Sequence, residues 1–442
     1  MRKRFKHSFV KYLFYFPVCF MVCLVISCGS PGDTTNGGSS GEDDSGDEPE
    51  VRTGSISGTV EDQFGEDLEN VTVELNEGYT SVSTTTSDST GSFSFISVEY
   101  GTYILDFSKD GFEDAVEEAT VDSSTEYVTA TLYPESLPSA GVMEVRKMGL
   151  ADSVLTFEVD LFVVDSEGNT ITGLTASDFS IEDGTSSDGI FFDYEQLEIE
   201  YMPPGNATAY SAALLLDQSG SIISTDPYDS RIQAAKVFFD SVGSNDEVLL
   251  SAFASNGLLP YECTYWGNFT SYGSSYFSTL EDLSDQESGG TPLYDSILTM
   301  MDYTYNNGMN ENKAVVVFTD GADTASSATI DTIASDFENT GVKVFTVGLS
   351  AGVDEAVLGE IAVRTDGCLM YTLDARQLVS LFGTLGNLLD GTSGLYRTVW
   401  TLTAEGEDIG NYNWLCDDIQ VNTDSGWVNA LFFLHQPSSL SD

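Results

Sequence analysis

Histidine is almost missing from this chain, with 2 in 442 residues, and one of them, His7, lies in the extreme N-terminal stretch. With only His435 left in the body, Ser-His-Asp triads, imidazole zinc sites and most metallopeptidases are close to excluded, and catalysis has few candidate bases. Basic side chains are scarce as well: 16 Lys plus Arg stand against 71 Asp plus Glu, a formal net charge of -55. Five of those 16 (Arg2, Lys3, Arg4, Lys6 and Lys11) fall in the first eleven positions, so the remainder carries 11 basic against 71 acidic residues. Such a surface repels phosphates instead of exchanging them for counterions, which excludes a nucleic-acid binder. Cysteine is limited to 6 residues with no Cys-x-x-Cys pair, and this argues against a structural thiolate metal site.

What the chain does have is core material. At 41% hydrophobic and 12% aromatic, with 41 Gly, it is not a disordered sequence and leans toward turns and strands. Its length exceeds one ordinary domain, so two or three are expected.

The N-terminus reads as an address. A basic stretch, Met1 to Lys11, is followed by a mostly apolar run, Tyr12 to Ile26, and by Val25-Ile26-Ser27-Cys28. The apolar run is shorter than the roughly 20 residues that a membrane span needs, and Pro17 interrupts it. Residues 25–28 resemble the lipobox of bacterial lipoproteins, and Gly29-Ser30 and a polar stretch follow at once. The resemblance implies a signal peptide over residues 1–27, a diacylglycerol on Cys28 and attachment to the membrane through that lipid. Gly29, where an Asp would signal retention, looks like the outer-membrane sorting rule of Gram-negative cells, which implies a lipid-anchored protein of the cell outer membrane. Residues 28–53 are Gly, Ser, Asp and Glu with almost no apolar side chain, a flexible and self-repelling tether. Cys19 and Cys23 leave with the signal; Cys263, Cys368 and Cys416 remain, and one disulfide plus a thiol or three thiols are both open.

Between residues 54 and 134, Ser55 to Val60, Val71 to Leu75, Ser92 to Phe95, Tyr103 to Phe107 and Tyr127 to Leu132 alternate with period two and are separated by turn residues. They predict a small antiparallel β-sandwich. The order Gly58-Thr59-Val60-Glu61-Asp62, Asp88-Ser89-Thr90-Gly91-Ser92-Phe93, Gly101-Thr102-Tyr103 and Lys109-Asp110-Gly111-Phe112 is similar to the carboxypeptidase-regulatory-like domain. In that family the module is a stalk or presenter, so a structural spacer is expected, with a sugar- or protein-binding face as the alternative. Residues 140–206 form a second β-rich segment, led by the alternating run Val154 to Val164 and the turn Asp165 to Asn169. It looks like the β-rich segment that precedes von Willebrand type A domains in bacterial surface proteins. The strand patterns Tyr396 to Leu402 and Trp427 to Leu434 need a partner for their apolar faces, and residues 391–442 are expected to complete this segment.

From residue 207 to 390, continuous apolar runs alternate with helical spacing. Ala212 to Leu216, Val248 to Phe253, Ala314 to Phe318 and Val342 to Val347 read as strands covered on both faces, and the series around Ile232, Leu293, Ile330, Ile361 and Leu381 read as helices. This predicts an α/β doubly wound, Rossmann-like sheet whose ligands bind beyond the carboxyl ends of the strands. At those ends stand Asp217-Gln218-Ser219-Gly220-Ser221, Gly289-Gly290-Thr291-Pro292 and Thr319-Asp320-Gly321. All their side-chain ligands are hard oxygens, two carboxylates and three hydroxyls, and they suit a small divalent cation in octahedral oxygen. Gly220 is expected to permit a tight loop that turns both serines to one point.

The three clusters in this order match the metal-ion-dependent adhesion site of von Willebrand factor type A (VWA) domains, with its Asp-x-Ser-x-Ser, distant Thr and distant Asp. The resemblance implies that Ser219, Ser221 and Thr291 bind the metal directly or through water, that Asp217 and Asp320 anchor it largely through water, and that one position stays open. Mg²⁺ is the expected ion, with Ca²⁺ and Mn²⁺ as alternatives. Asp295 and Asp323 lie close enough in sequence for a supporting role, whereas Asp226 and Asp229 read as solvated loop residues. Because neutral hydroxyls supply much of the shell, the cation stays under-neutralised and attracts a carboxylate, so the expected partner is a protein offering an Asp or Glu. The chain's own negative charge is screened within about 8 Å at physiological salt and does not forbid this.

The expected function is therefore adhesion or complex assembly by a lipid-anchored envelope protein, not an enzyme; the alternative is a scaffold or periplasmic assembly factor whose metal is mainly stabilising. The anchor has its own test. Blocking the lipoprotein signal peptidase in the native host is expected to leave a heavier precursor in place of the processed protein, and an unchanged mass would remove the lipid reading.

Overall fold

The computed structural model describes residues 52–435 apart from 123–124, 186–190, 256, 258, 285, 407, 410–411 and 413. The expected signal peptide, Cys28 and the tether up to residue 51 lie outside the described residues.

The first module holds β1 (Thr53–Asp62), β2 (Thr72–Glu77), β3 (Thr80–Thr86), β4 (Ser92–Glu99), β5 (Gly101–Ser108), β6 (Ala115–Val121) and β7 (Glu126–Leu132). They form a three-stranded sheet in the order β4-β1-β7 and a four-stranded sheet in the order β3-β2-β5-β6. Alternate residues such as Ile56, Val73, Phe93, Leu105 and Ala130 fill the space between them. The sandwich is not wholly antiparallel as expected, because β7 runs parallel to β1, with Ile56 opposite Glu126 and Asp62 opposite Leu132. Two strands had no sequence signal. Strand β3 is Ser and Thr around a single Val and lies exposed at the sheet edge, where no apolar alternation is required. In β6 only the last residues are buried.

The second β-rich part contributes β8 (Ser139–Ala151), β9 (Val154–Val164), β10 (Phe179–Ile181), β11 (Gly184–Thr185) and β12 (Phe191–Met202). The α/β part follows with β13 (Tyr210–Asp217), α1 (Ile222–Thr225), α2 (Ser230–Asp240), β14 (Glu247–Phe253), β15 (Cys263–Tyr265), α3 (Phe277–Leu283), α4 (Leu293–Asn307), β16 (Asn312–Thr319), α5 (Ile330–Thr340), β17 (Lys343–Leu349), α6 (Glu355–Arg364), β18 (Leu369–Thr372) and α7 (Gln377–Asp390). The chain then returns through β19 (Leu395–Ala404), β20 (Trp414–Thr423) and β21 (Gly426–His435).

These elements build one 11-stranded sheet in the order β11-β12-β19-β9-β8-β18-β17-β16-β13-β14-β15. Strands β14, β13, β16, β17 and β18 are parallel and almost wholly buried, as their unbroken apolar runs require. The β-rich part is fused to them where β18 meets β8, Leu369 opposite Val142 and Met370 opposite Gly141. A Cβ on Gly141 would lie 2.6 Å from the Phe162 ring and 3.0 Å from Met370 Cγ, so only glycine lets β8 enter between its two neighbours. Strand β19 lies between β12 and β9, and a separate three-stranded sheet, β10-β20-β21, covers this end. Between the two sheets Phe157 stacks on Phe432 with ring centroids 5.2 Å apart, and Tyr396 packs against Phe179 at 5.3 Å. No disulfide joins Cys263, Cys368 and Cys416. Among the described residues no helix is long and apolar enough to cross a membrane.

One buried charge in this second core makes stability depend on pH. The Asp417 side chain accepts from the Tyr194 hydroxyl at 2.9 Å and from the Asp418 N–H at 2.9 Å, and burial still pushes its carboxyl up to about 6. A carboxyl raised in the folded state binds its proton there while the unfolded chain has released it, so stability falls as pH rises from about 4 to about 6. Asp417→Asn removes that loss and keeps an acceptor. The variant is expected to gain on the order of 1 to 3 kcal/mol over the parent at pH 7.5, and nothing at pH 4, in paired denaturant titrations. A difference that does not change with pH would show that Asp417 is ionised throughout.

Candidate metal centre

The site lies where the carboxyl ends of β13 and β16, neighbours in the sheet, meet the loop that precedes α4. Asp217 is the last residue of β13, and Asp320 directly follows the last residue of β16. Because these strands pair in parallel, with Leu216 opposite Phe318, the two carboxylates arrive at one end of the sheet although about a hundred residues separate them in sequence.

Each ligand candidate is held by neighbours that fix its direction. The Asp217 Oδ1 accepts the Ser219 N–H at 2.7 Å, and its Oδ2 accepts the Thr319 hydroxyl at 2.6 Å. The Ser219 and Ser221 hydroxyls are 3.1 Å apart, and the Ser221 hydroxyl donates to Asp320 Oδ1 at 2.7 Å. The other Asp320 oxygen accepts from the Thr225 hydroxyl at 2.5 Å. The third cluster joins from across the site: a Cβ built on Gly321 would sit 3.7 Å from the Ser221 hydroxyl and 3.9 Å from the Thr291 hydroxyl. Asp217, Ser219, Ser221, Thr291 and Asp320 are thus gathered around one point. Ser221 stands at the start of α1 and Thr291 just ahead of α4, yet neither helix start carries a side-chain cap, so these hydroxyls are not spent as helix caps.

Main-chain bonds lock the loops together. The Gly220 N–H donates to the Gly289 carbonyl at 3.1 Å, the Ser288 N–H to the Gln218 carbonyl at 2.9 Å, and the Thr324 N–H to the Thr291 carbonyl at 3.0 Å. Gly220 does not adopt a positive φ, and it meets the second loop through the bond from its N–H to the Gly289 carbonyl. Asp323 and Asp295 support from one layer out. Asp323 accepts the Tyr294 N–H at 3.2 Å, and Asp295 accepts the Ser327 and Ala328 N–H groups at 2.8 and 2.9 Å, which clips the start of α4 to the loop after β16.

Asp226 is not the solvated loop residue expected from sequence, while Asp229 stays partly exposed as expected but also pairs with a buried cation. Asp226 is 2% exposed, Asp229 adopts a left-handed backbone with φ 56°, and both grip Arg231, whose side chain is wholly buried. The same guanidinium donates to Gln218 Oε1 at 3.2 Å and to Glu287, so it ties the Asp217 to Ser221 loop to the chain leading into Gly289-Gly290-Thr291. An arginine inside a -55 chain was a usable signal, since so few cations are available to pair with so many acids. Thr319 and Thr225 were missed as well; a strand-terminal Thr and a Thr one helical turn past Ser221 carry no pattern of their own.

The electrostatics of the pocket are one-sided. Asp217 and Asp320 are 0% and 1% exposed, and among the described residues neither is ion-paired. Burial pushes the Asp217 carboxyl up to about 7 against the hydrogen bonds from Thr319 and Ser219, and the neighbouring Asp320 charge raises it further. Two buried carboxylates and three hydroxyls form an all-oxygen set that lacks a counter-charge, which fits a hard divalent cation. Among the described residues no group of three or more His, Cys, Asp or Glu side chains is arranged to hold a metal ion. His435, at the end of β21 opposite Trp414, belongs to the other β-sheet.

Comparison with known proteins follows this geometry. Solved structures similar to the chain include proximal thread matrix protein 1 from the mussel byssus, at 16% identity and TM-score 0.36, over 42% of this chain and 49% of that one. A von Willebrand factor type A protein from Catenulispora acidiphila matches at 10% identity and TM-score 0.37, over 67% of this chain and 72% of that one. The pilus adhesin SpaC from Lactobacillus rhamnosus GG matches at 11% identity and TM-score 0.36, over 69% of this chain and 48% of that one. The chain thus spans about half the length of the mussel protein and of the pilus adhesin. No curated protein matches it significantly. Residues 55–133 match the family model of the carboxypeptidase regulatory-like domain and residues 213–384 that of the von Willebrand factor type A domain, so the chain carries one of each.

Proposed function

We propose that this chain is a cell-envelope protein, anchored by a lipid on Cys28, that binds a protein partner through a divalent cation held in the VWA domain. The observation that carries the reading is the convergence of Asp217, Ser219, Ser221, Thr291 and Asp320, which places two buried, unpaired carboxylates and three hydroxyls around one point. Mg²⁺ is the proposed ion, since the donors are all hard oxygens. When bound, the cation supplies a Lewis-acidic position to an incoming carboxylate.

The protein's own groups do the rest. The hydroxyls are neutral and the two carboxylates would hold the cation largely through water, so its directly bound shell would stay under-neutralised and a partner's Asp or Glu would be attracted at short range where screening is weak. The Thr319 and Thr225 hydroxyls orient the two carboxylates and keep them from turning away from the serines. Among the described residues, those near the cluster offer Ser and Thr hydroxyls and Asp carboxylates but no imidazole or amine to serve as a base, and for this reason the proposal is binding without catalysis.

Affinity capture from a lysate of the native host, using the chain from Gly29 onward, tests the reading. A partner is expected in Mg²⁺ that is lost both in EDTA and with Asp217→Ala, while the variant keeps its circular dichroism spectrum. Capture of the same partners in every condition would contradict it, and loss of the fold in Asp217→Ala would favour a scaffold stabilised by its metal.

A further inference from the structure

The N-terminal sandwich is joined to the VWA domain by an interface that a passive spacer has no need for. Lys236 of α2 is wholly buried, and its Nζ is 2.9 Å from Asp62 Oδ2, at the end of β1, and 2.6 Å from Glu281 of α3. Asp62 is 1% exposed, and its Oδ1 accepts the Phe64 and Glu66 N–H groups at 2.8 and 3.0 Å, so the acid that meets Lys236 also shapes the turn beside it. Phe64 from that turn packs edge-on against Phe277 of α3 at 5.0 Å and joins the core of the VWA domain. A buried ion pair is a poor source of net stability but a strict one for geometry, because either partner left alone inside the protein is strongly unfavourable.

A second contact lies nearer the candidate metal centre. Gly111, with φ 83°, sits on Tyr228, where a Cβ would come within 2.8 Å of the Tyr228 Cβ. Tyr228 lies between Asp226 and Asp229, the two acids that grip Arg231, and Arg231 in turn holds Gln218 and Glu287 of the two loops that bring Ser219, Ser221 and Thr291 together. Arg231 and Lys236 stand on the same short helix, Ser230–Asp240. The sandwich therefore bears on both the loop and the helix that set the ligand loops.

We propose that the N-terminal sandwich is a positioning element of the metal centre, acting through Asp62 on Lys236 and through the Gly111 turn on the Tyr228 loop. This rests on the reading of the centre as a cation site. Undocking the sandwich loosens the Arg231 clamp and lowers the affinity for the cation, with every ligand side chain still in place.

The test is Mg²⁺ titration calorimetry on the full chain in detergent, with hydrogen exchange over residues 62–66 and 277–283 reporting whether the sandwich is docked. Asp62→Lys sets two like charges against each other at the buried contact. It is expected to lose exchange protection there and to weaken Mg²⁺ binding by about fivefold or more. The double variant Asp62→Asn, Lys236→Met removes both charges, keeps an oxygen for the Phe64 and Glu66 N–H groups, and is expected to restore both protection and affinity, which a fault confined to the sandwich itself would not do. Three results overturn the proposal: lost protection in Asp62→Lys with Mg²⁺ affinity within about twofold of the parent, retained protection in that variant, or regained docking in the double variant without regained affinity. A parent chain that takes up no Mg²⁺ would overturn the cation reading itself, and the proposal with it; that failure shows in the unsubstituted protein and so cannot be confused with the others.

Discussion

The loops at the end of the VWA sheet are built around two buried carboxylates, Asp217 and Asp320, that carry no ion pair among the described residues. Asp217 and Asp320 are brought together by the pairing of β13 with β16, and each is closed off from water by the loops that carry the hydroxyls. Burial drives the Asp217 carboxyl up to about 7, and the neighbouring Asp320 charge adds to the rise. The proposed divalent cation would offset this cost by supplying positive charge between the two groups. Much of the surrounding structure serves to hold them there: Thr319 and Thr225 turn the carboxylates, Gly220 and Gly289 bring two loops into contact, and Asp295 and Asp323 fasten α4 to the third.

The distribution of the few basic residues follows the same constraint. Arg231 is spent behind the ligand loops and Lys236 on the contact with the N-terminal sandwich. Arg146 and Arg397 are spent on Glu158 and Asp160 in the second β-rich part. Arg231, Lys236 and Arg397 each tie segments distant in sequence, whereas Arg146 ties β8 to its hairpin neighbour β9. Among the described residues no basic side chain pairs with Asp217 or Asp320 at the candidate centre.

Much of the centre could be read in advance because its chemistry is local. Asp217, Ser219 and Ser221 lie within five residues, and the apolar runs of β13 and β16 mark where strands end, so Asp320 and Thr291 could be placed by element order alone. What could not be read depends on contacts between distant segments. Thr225 and Thr319 are ordinary until Asp320 and Asp217 come against them, and Asp226 and Asp229 look solvated until Arg231 folds back beneath them. The same holds for the fold. The parallel strands announce themselves by unbroken hydrophobicity, while the exposed edge strand β3 and the parallel pairing of β7 with β1 leave no periodic mark. The continuity of the sheet through Gly141 is set by the absence of one side chain and is equally silent.

The most direct measurement of the central claim is anomalous diffraction from crystals of the protein soaked in Mn²⁺, a heavier stand-in for Mg²⁺ with the same preference for oxygen. The account predicts one strong peak enclosed by the hydroxyls of Ser219, Ser221 and Thr291 and the carboxylates of Asp217 and Asp320. No peak there would contradict it.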